Sequence, residues 1–136
     1  MPHLSERLSA ILGEILPVTE EEDGALTVKH EETFASVRVV TVAPDLDLVS
    51  LTQVLAWDMP LNSRTTATVA KFTQETLLGT VSLVEKVGAA KNGSKKLGDV
   101  LLRYNFPAAG LTDDALRTLL LMVLATGSDV RRALVG

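Results

Sequence analysis

Hydrophobic positions change period several times along the chain, and each change predicts an element. Leu4, Leu8, Ile11, Leu12 and Ile15 recur at helical spacing with Glu6, Arg7 and Glu14 between them, which predicts an amphipathic helix closed by Pro17. The acidic run Glu20-Glu21-Glu22-Asp23 and Gly24 read as a solvated loop. Beyond it the spacing shortens to two. Ala25–His30, with Leu26 and Val28 inward, and Phe34–Val42, rich in Val and Thr, are strands that pair through a polar turn around His30-Glu31-Glu32. A third strand runs from Leu48 to Met59 with Val49, Leu51, Leu55, Trp57 and Met59 on one side. Gln53 interrupts that side, and Pro60 ends the strand.

Asn62 or Ser63 caps a second helix through about Leu78, where the apolar positions Val69, Phe72 and Leu77 are sparse. Thr65, Thr66, Thr68, Thr73 and Thr76 crowd the rest of it, and threonine loses rotamer freedom in a helix. Tertiary contacts must hold this element. Gly79 is a C-terminal stop, and Thr80–Val87 then alternates Val81, Leu83 and Val87 against Thr80, Ser82, Val84 and Lys86. Asn92-Gly93 predicts a tight hairpin turn into Leu97–Phe106, which sets Val100, Leu102, Tyr104 and Phe106 opposite Leu101, Arg103 and Asn105. Pro107-Ala108-Ala109-Gly110 stops this strand. Thr112 is the N-cap of a helix over 112–126, with Asp113 and Asp114 at the positive end of its dipole. Gly127-Ser128-Asp129 is expected to break and recap the chain, leaving a helical turn or two from Arg131 to Leu134.

The order is helix, three strands, helix, two strands, helix, and it predicts one α+β domain: a twisted, mainly antiparallel sheet with helices packed against it. The helix over 112–126 is apolar nearly all round at Leu119, Leu120, Leu121, Met122, Val123 and Leu124. Each such leucine is worth roughly 1.5–3 kcal/mol when buried, and one sheet cannot cover them all. Either the chain forms a homodimer, or the first helix and the segment Val130–Val135 supply the missing cover.

Bulk composition removes several function classes. The 136 residues carry 13 basic and 17 acidic side chains, so no broad positive field invites a nucleic acid. Without cysteine there is no disulfide, thiol nucleophile or thiolate metal site, and two histidines make an imidazole cage improbable; no cofactor or metal is predicted. The N-terminus lacks a basic region leading into an apolar core, and no apolar run approaches a bilayer span. A cytoplasmic protein that does not enter membranes is expected.

Candidate chemistry is thin. A histidine paired with a carboxylate, as His30 is beside Glu31 and Glu32, can act as a general base, but no nucleophile or second base accompanies it, so a solvated turn histidine is the reading. Asp45, Asp47 and Asp58 lack the density of a calcium loop and are taken as turn and edge residues. Lys86, Lys91, Lys95 and Lys96 lack the phosphate-loop order, which leaves a charged hairpin tip. No serine stands in a Gly-x-Ser-x-Gly setting. Trp57 is either an interface anchor or, as its strand register prefers, core. No catalytic residue is assigned. A partner-binding surface is expected from Leu4, Leu8, Ile11 and Ile15 of the first helix together with Trp57, Phe72, Leu121 and Met122. The competing class is a small-molecule sensor or enzyme with a pocket near Trp57 and Tyr104.

The second half carries a family likeness. Leu77-Leu78-Gly79-Thr80-Val81-Ser82-Leu83 closing a helix that includes Phe72, and Val100 through Phe106 followed by Pro107-Ala108-Ala109 and Gly110-Leu111-Thr112, resemble the strand, proline turn and helix start of YbjN-type bacterial proteins. The element order is similar to the fold of these proteins and of the related type III secretion chaperones. The resemblance implies a catalytically inert scaffold and, by way of the secretion chaperones, a homodimer that holds an extended segment of a client protein. It implies a chaperone-like or regulatory adaptor without naming the client.

Overall fold

A computed structural model describes residues 3–86 and 96–135. The first helix, α1 (Leu4–Gly13), buries Leu8, Ile11 and Leu12, the stripe its spacing predicts. Four strands follow: β1 (Val18–Glu20), β2 (Leu26–His30), β3 (Thr33–Ala43) and β4 (Leu46–Pro60). Helix α2 (Ser63–Glu75) precedes β5 (Thr80–Glu85) and β6 (Leu97–Pro107), and α3 (Asp113–Val135) closes the chain. The strands form one six-stranded sheet in the order β1-β2-β3-β4-β6-β5, antiparallel at every pairing. The predicted α+β class and element order therefore hold, with β1 as an additional short strand. Three residues between a proline and an acidic loop are too few to show a period; pairing of Val18 with Val28 makes them a strand.

Alternation assigns the two faces of the sheet. Leu26 and Val28 on β2, Ala35 and Val37 on β3, Val49, Leu51 and Leu55 on β4, Val81 on β5, and Val100, Leu102 and Phe106 on β6 are all buried. This is the helix-bearing face. Helix α3 lies over β2, β3 and β4, α1 packs against α3, β1 and β3, and α2 packs against β5 and α3. The threonines of α2 find local partners: the hydroxyls of Thr66, Thr68 and Thr76 donate to carbonyls four residues back. Thr73 Oγ1 also comes within 2.7 Å of the Val81 carbonyl, so α2 covers part of the β5 edge. Asn62 caps α2 by accepting the Thr65 N–H at 2.9 Å. The helix ends at Glu75 and not near Leu78, with Gly79 at φ 84° in the turn into β5.

Two expectations are corrected. Helix α3 does not break at Gly127; it continues to Val135, with the Thr112 hydroxyl accepting the Ala115 N–H at its start and Arg132 in its last turn. The glycine is there for close approach to the sheet, where Gln53 lies against it. Trp57 is not core but 49 % exposed, because β4 carries two register shifts, at Val54/Ala56 and at Ala56/Met59, that turn it out of the alternation. Arg131 Nη1 on α3 donates to the Leu55 carbonyl in this irregular stretch at 2.8 Å. The apolar surplus of α3 is met largely within the chain: Leu116, Leu120, Val123, Leu124 and Val130 are buried, and Met122 and Val135 are left exposed. Among the described residues no helix is long and apolar enough to cross a membrane. The predicted Asn92-Gly93 turn, Val87, Lys91 and Lys95 lie outside the described residues.

Candidate functional site

Two features stand out from the packing, a polar knot under α3 and the face of the sheet that no helix covers. The knot begins at Gln53, 0 % exposed in the middle of β4. Its Nε2 donates to Thr33 Oγ1 at 2.8 Å and to the Leu124 carbonyl at 3.1 Å, while Thr33 Oγ1 donates to the His30 carbonyl at 2.7 Å. Its Oε1 is buried without a partner and faces Gly127, where an added Cβ would lie 2.7 Å from Gln53 Nε2 and closer still to Oε1. At the next residue, Ser128 Oγ is 2.7 Å from His30 Nδ1. His30 is therefore not the solvated turn residue that its glutamate neighbours suggest; its partner is almost a hundred residues away in sequence, beyond the reach of local pattern.

A serine, a histidine and a nearby carboxylate invite comparison with a nucleophile triad. Glu31 Oε2 is 4.0 Å from His30 Nδ1, too far to orient the ring by a hydrogen bond. Ser128 is buried in the interior of α3, where neighbouring backbone N–H groups are spent on the helix and cannot stabilise an oxyanion. The arrangement locks helix to sheet. Glu31 holds φ 53° in the β2–β3 turn and accepts from Arg132 Nη1 at 2.8 Å, and Arg132 also bonds Asp129. The Arg132 guanidinium, and next the Ser128 hydroxyl, pull the Glu31 carboxyl below its ordinary range. A depressed carboxyl favours folding above its unfolded value, and that contribution is lost as pH falls through the lower folded value. Glu31→Gln is thus expected to lower the urea midpoint near pH 7 and to approach the parent as pH falls through the lowered range of the carboxyl. A gap that does not shrink as pH falls would show that the ionised pair contributes nothing.

The other sequence candidates are scattered. Leu8 and Ile11 are core residues, Leu4, Phe72 and Leu121 are half-buried, and Ile15, Trp57 and Met122 are exposed in separate places. Tyr104 stacks on Phe106 at 5.1 Å on the helix-bearing side, and four clefts on the described surface are lined by side chains other than Tyr104 and Trp57. Asp45 and Asp58 take positive φ as turn and bulge residues. Lys86 Nζ lies 2.6 Å from Asp58 and 3.4 Å from Asp99, which raises its pKa, Asp58 first. No group of His, Asp and Glu among the described residues is arranged to hold a metal ion.

The uncovered face is ordered in rows by the strand register. Lys29, Phe34, Val54, Leu101 and Ser82 face each other across β2, β3, β4, β6 and β5. The next row is Thr27, Ser36, Thr52, Arg103 and Thr80, and the one after is Arg38, Ser50 and Asn105. Val40, Leu48 and Pro107 complete the face. Two apolar rows thus bracket a polar band, and Phe34 is 45 % exposed although it sits mid-sheet. Two rows of five and two rows of three, with strands about 4.8 Å apart and rows about 6.6 Å apart, give roughly 500 Å² of flat face before side-chain relief is counted. That is of the order of the ~800 Å² per partner in a standard interface. Sequence alternation marked Leu101, Arg103 and Asn105 as one side of β6, but no pattern states whether a second layer covers that side.

No family model matches the chain, and no curated protein matches its sequence. Among solved structures it is similar to the crystal structure of YbjN, a candidate transcription regulator from E. coli, with a TM-score of 0.64 and 15% identity. The match covers 96% of this chain and 89% of that one. The fold is of YbjN type, as the second-half motifs imply.

Proposed function

We propose that the protein is a non-catalytic binding module, an adaptor or chaperone-like regulator, that holds a segment of another protein on the uncovered face of its sheet. The observation behind this reading is the asymmetry of the sheet: three helices bury one face, while the other leaves Phe34, Val40 and Val84 in solvent. Large apolar side chains left exposed in rows on an uncovered sheet face are candidates for contact with another molecule. The polar knot supports the same reading, because the Gln53 Nε2 donor and the Thr33 and Ser128 hydroxyls are engaged in holding α3 to the sheet. A regulatory role for the YbjN-type fold is in keeping with it.

The test is covalent footprinting of the complex captured with the native chain. Phe34 and Val40 are expected to be shielded by the captured protein. A metabolite that raises the melting temperature, with no polypeptide retained, would favour the sensor class instead. A homodimer belongs to the proposal as a separate contact on the outer side of α3, supported by the exposed Met122 and Val135.

A further inference from the structure

We propose that the segment accepted by the open sheet face is acidic, with carboxylates set between apolar residues. This rests on the reading of that face as a docking surface and adds its chemistry. The chain is net −4, yet the strand positions of the polar band include two arginines and no carboxylate; loop carboxylates reach it at the β2 side, where Glu21 Oε1 accepts from Thr27 Oγ1 at 2.9 Å and Asp23 pairs with Arg38. Arg103 stands between Thr52 and Thr80 with no ion-pair partner among the described residues. Arg38 is 3.0 Å from Asp23, an exposed pair that solvent weakens. Asp99, a strand carboxylate on this face, lies on the row beyond, where the Lys86 ammonium and the Asp58 N–H engage it. Hydroxyls of Ser50 and Thr52 and the Asn105 amide add donors beside the guanidinium groups, the environment that a carboxylate seeks.

Charge also decides between occupants. A second copy laid face to face would bring Arg103 against a band whose carboxylates, Glu21 and Asp23, are already engaged by Thr27 and Arg38, and like charges across an interface are costly. A partner with acidic groups removes that cost. The row spacing specifies it further. In an extended segment alternate side chains share a face and are about 6.6 Å apart, the same step as the rows. An apolar–acid–acid–apolar pattern at every second residue therefore meets apolar row, band, band and apolar row in turn.

The probe is a seven-residue peptide, Leu-Ser-Glu-Ser-Glu-Ser-Val, with Gln and Lys in place of Glu as comparisons and a twelve-residue oligo-dT as a polyanion. NMR titration of the isotope-labelled chain reports both affinity and place. The Glu peptide is expected to perturb Ser36, Thr52, Arg103 and Asn105, to bind roughly tenfold tighter than the Gln peptide, and to weaken with salt. Arg103→Glu, checked for an unchanged circular-dichroism spectrum, is expected to lose the Glu peptide and gain the Lys peptide. Arg64→Glu on the exposed part of α2 is expected to change neither. Equal affinity for Glu and Gln peptides, no binding, perturbations away from the face, preference for the oligonucleotide, or self-association relieved by covering the face would each overturn the proposal. If the peptides fail while a captured protein still shields Phe34, acidity alone is wrong. If nothing shields Phe34, the docking reading fails as well.

Discussion

Gly127→Ala is expected to lower stability by about 2–4 kcal/mol, a loss large for a single methyl in a helix. Alanine is ordinarily the better helix former by about 1 kcal/mol, so an unconstrained site would show a gain. Here the new methyl falls on the Gln53 amide, which is fully buried and tied to Thr33 Oγ1 and to the Leu124 carbonyl. The amide has to leave both partners, or α3 has to lift off the sheet. The background decides the interpretation. In Gln53→Ala the space under α3 is empty, and the same Gly127→Ala change is expected to be neutral or stabilising by about 1 kcal/mol. A coupling on the order of 3 kcal/mol between the two positions follows, measurable by urea unfolding of the four proteins. If Gly127→Ala costs the same with and without Gln53, the close approach is not what selects glycine there.

That pair of residues also shows where reading the chain stops. Gly127-Ser128-Asp129 has every local mark of a helix end, and Gln53 looks like a lapse in an apolar strand face. Each is explained by the other across the interior, and no local period carries such a contact. The strands with clean alternation were legible: β6 was predicted as Leu97–Phe106 and is observed as Leu97–Pro107, with Val100, Leu102 and Phe106 buried and Arg103 and Asn105 outside. Trp57 was misplaced because two irregularities precede or surround it in β4, and each extra residue reverses the side that a count of two assigns. Glu31 at φ 53° and Asp58 at φ 58° likewise adopt a conformation that glycine or asparagine would have announced and that these residues do not. The candidate site was half legible. The polar side of β6 was in the pattern, and the decision to leave it uncovered was made by all three helices choosing the other side.

Leu120→Ala and Met122→Ala together separate the cover that α3 has from the cover it lacks. Leu120 is 0 % exposed between helix and sheet, and its truncation leaves a cavity that close-packed neighbours fill only in part. The expected cost is about 2–5 kcal/mol, independent of protein concentration. Met122, two residues on and 47 % exposed, should cost less than about 0.5 kcal/mol in an isolated chain. A homodimer through the outer side of α3 changes that second expectation in a particular way. Its stability would rise with protein concentration, since association favours the folded form by mass action, and Met122→Ala would remove part of the rise. Unfolding midpoints measured across a hundredfold range of concentration, alongside sedimentation, read both effects. Midpoints that do not move, with Leu120→Ala still severe, would mean that β2, β3, β4, α1 and α2 supply all the cover the helix needs, and the paired-chain part of the proposed function would be withdrawn while the open sheet face kept its role.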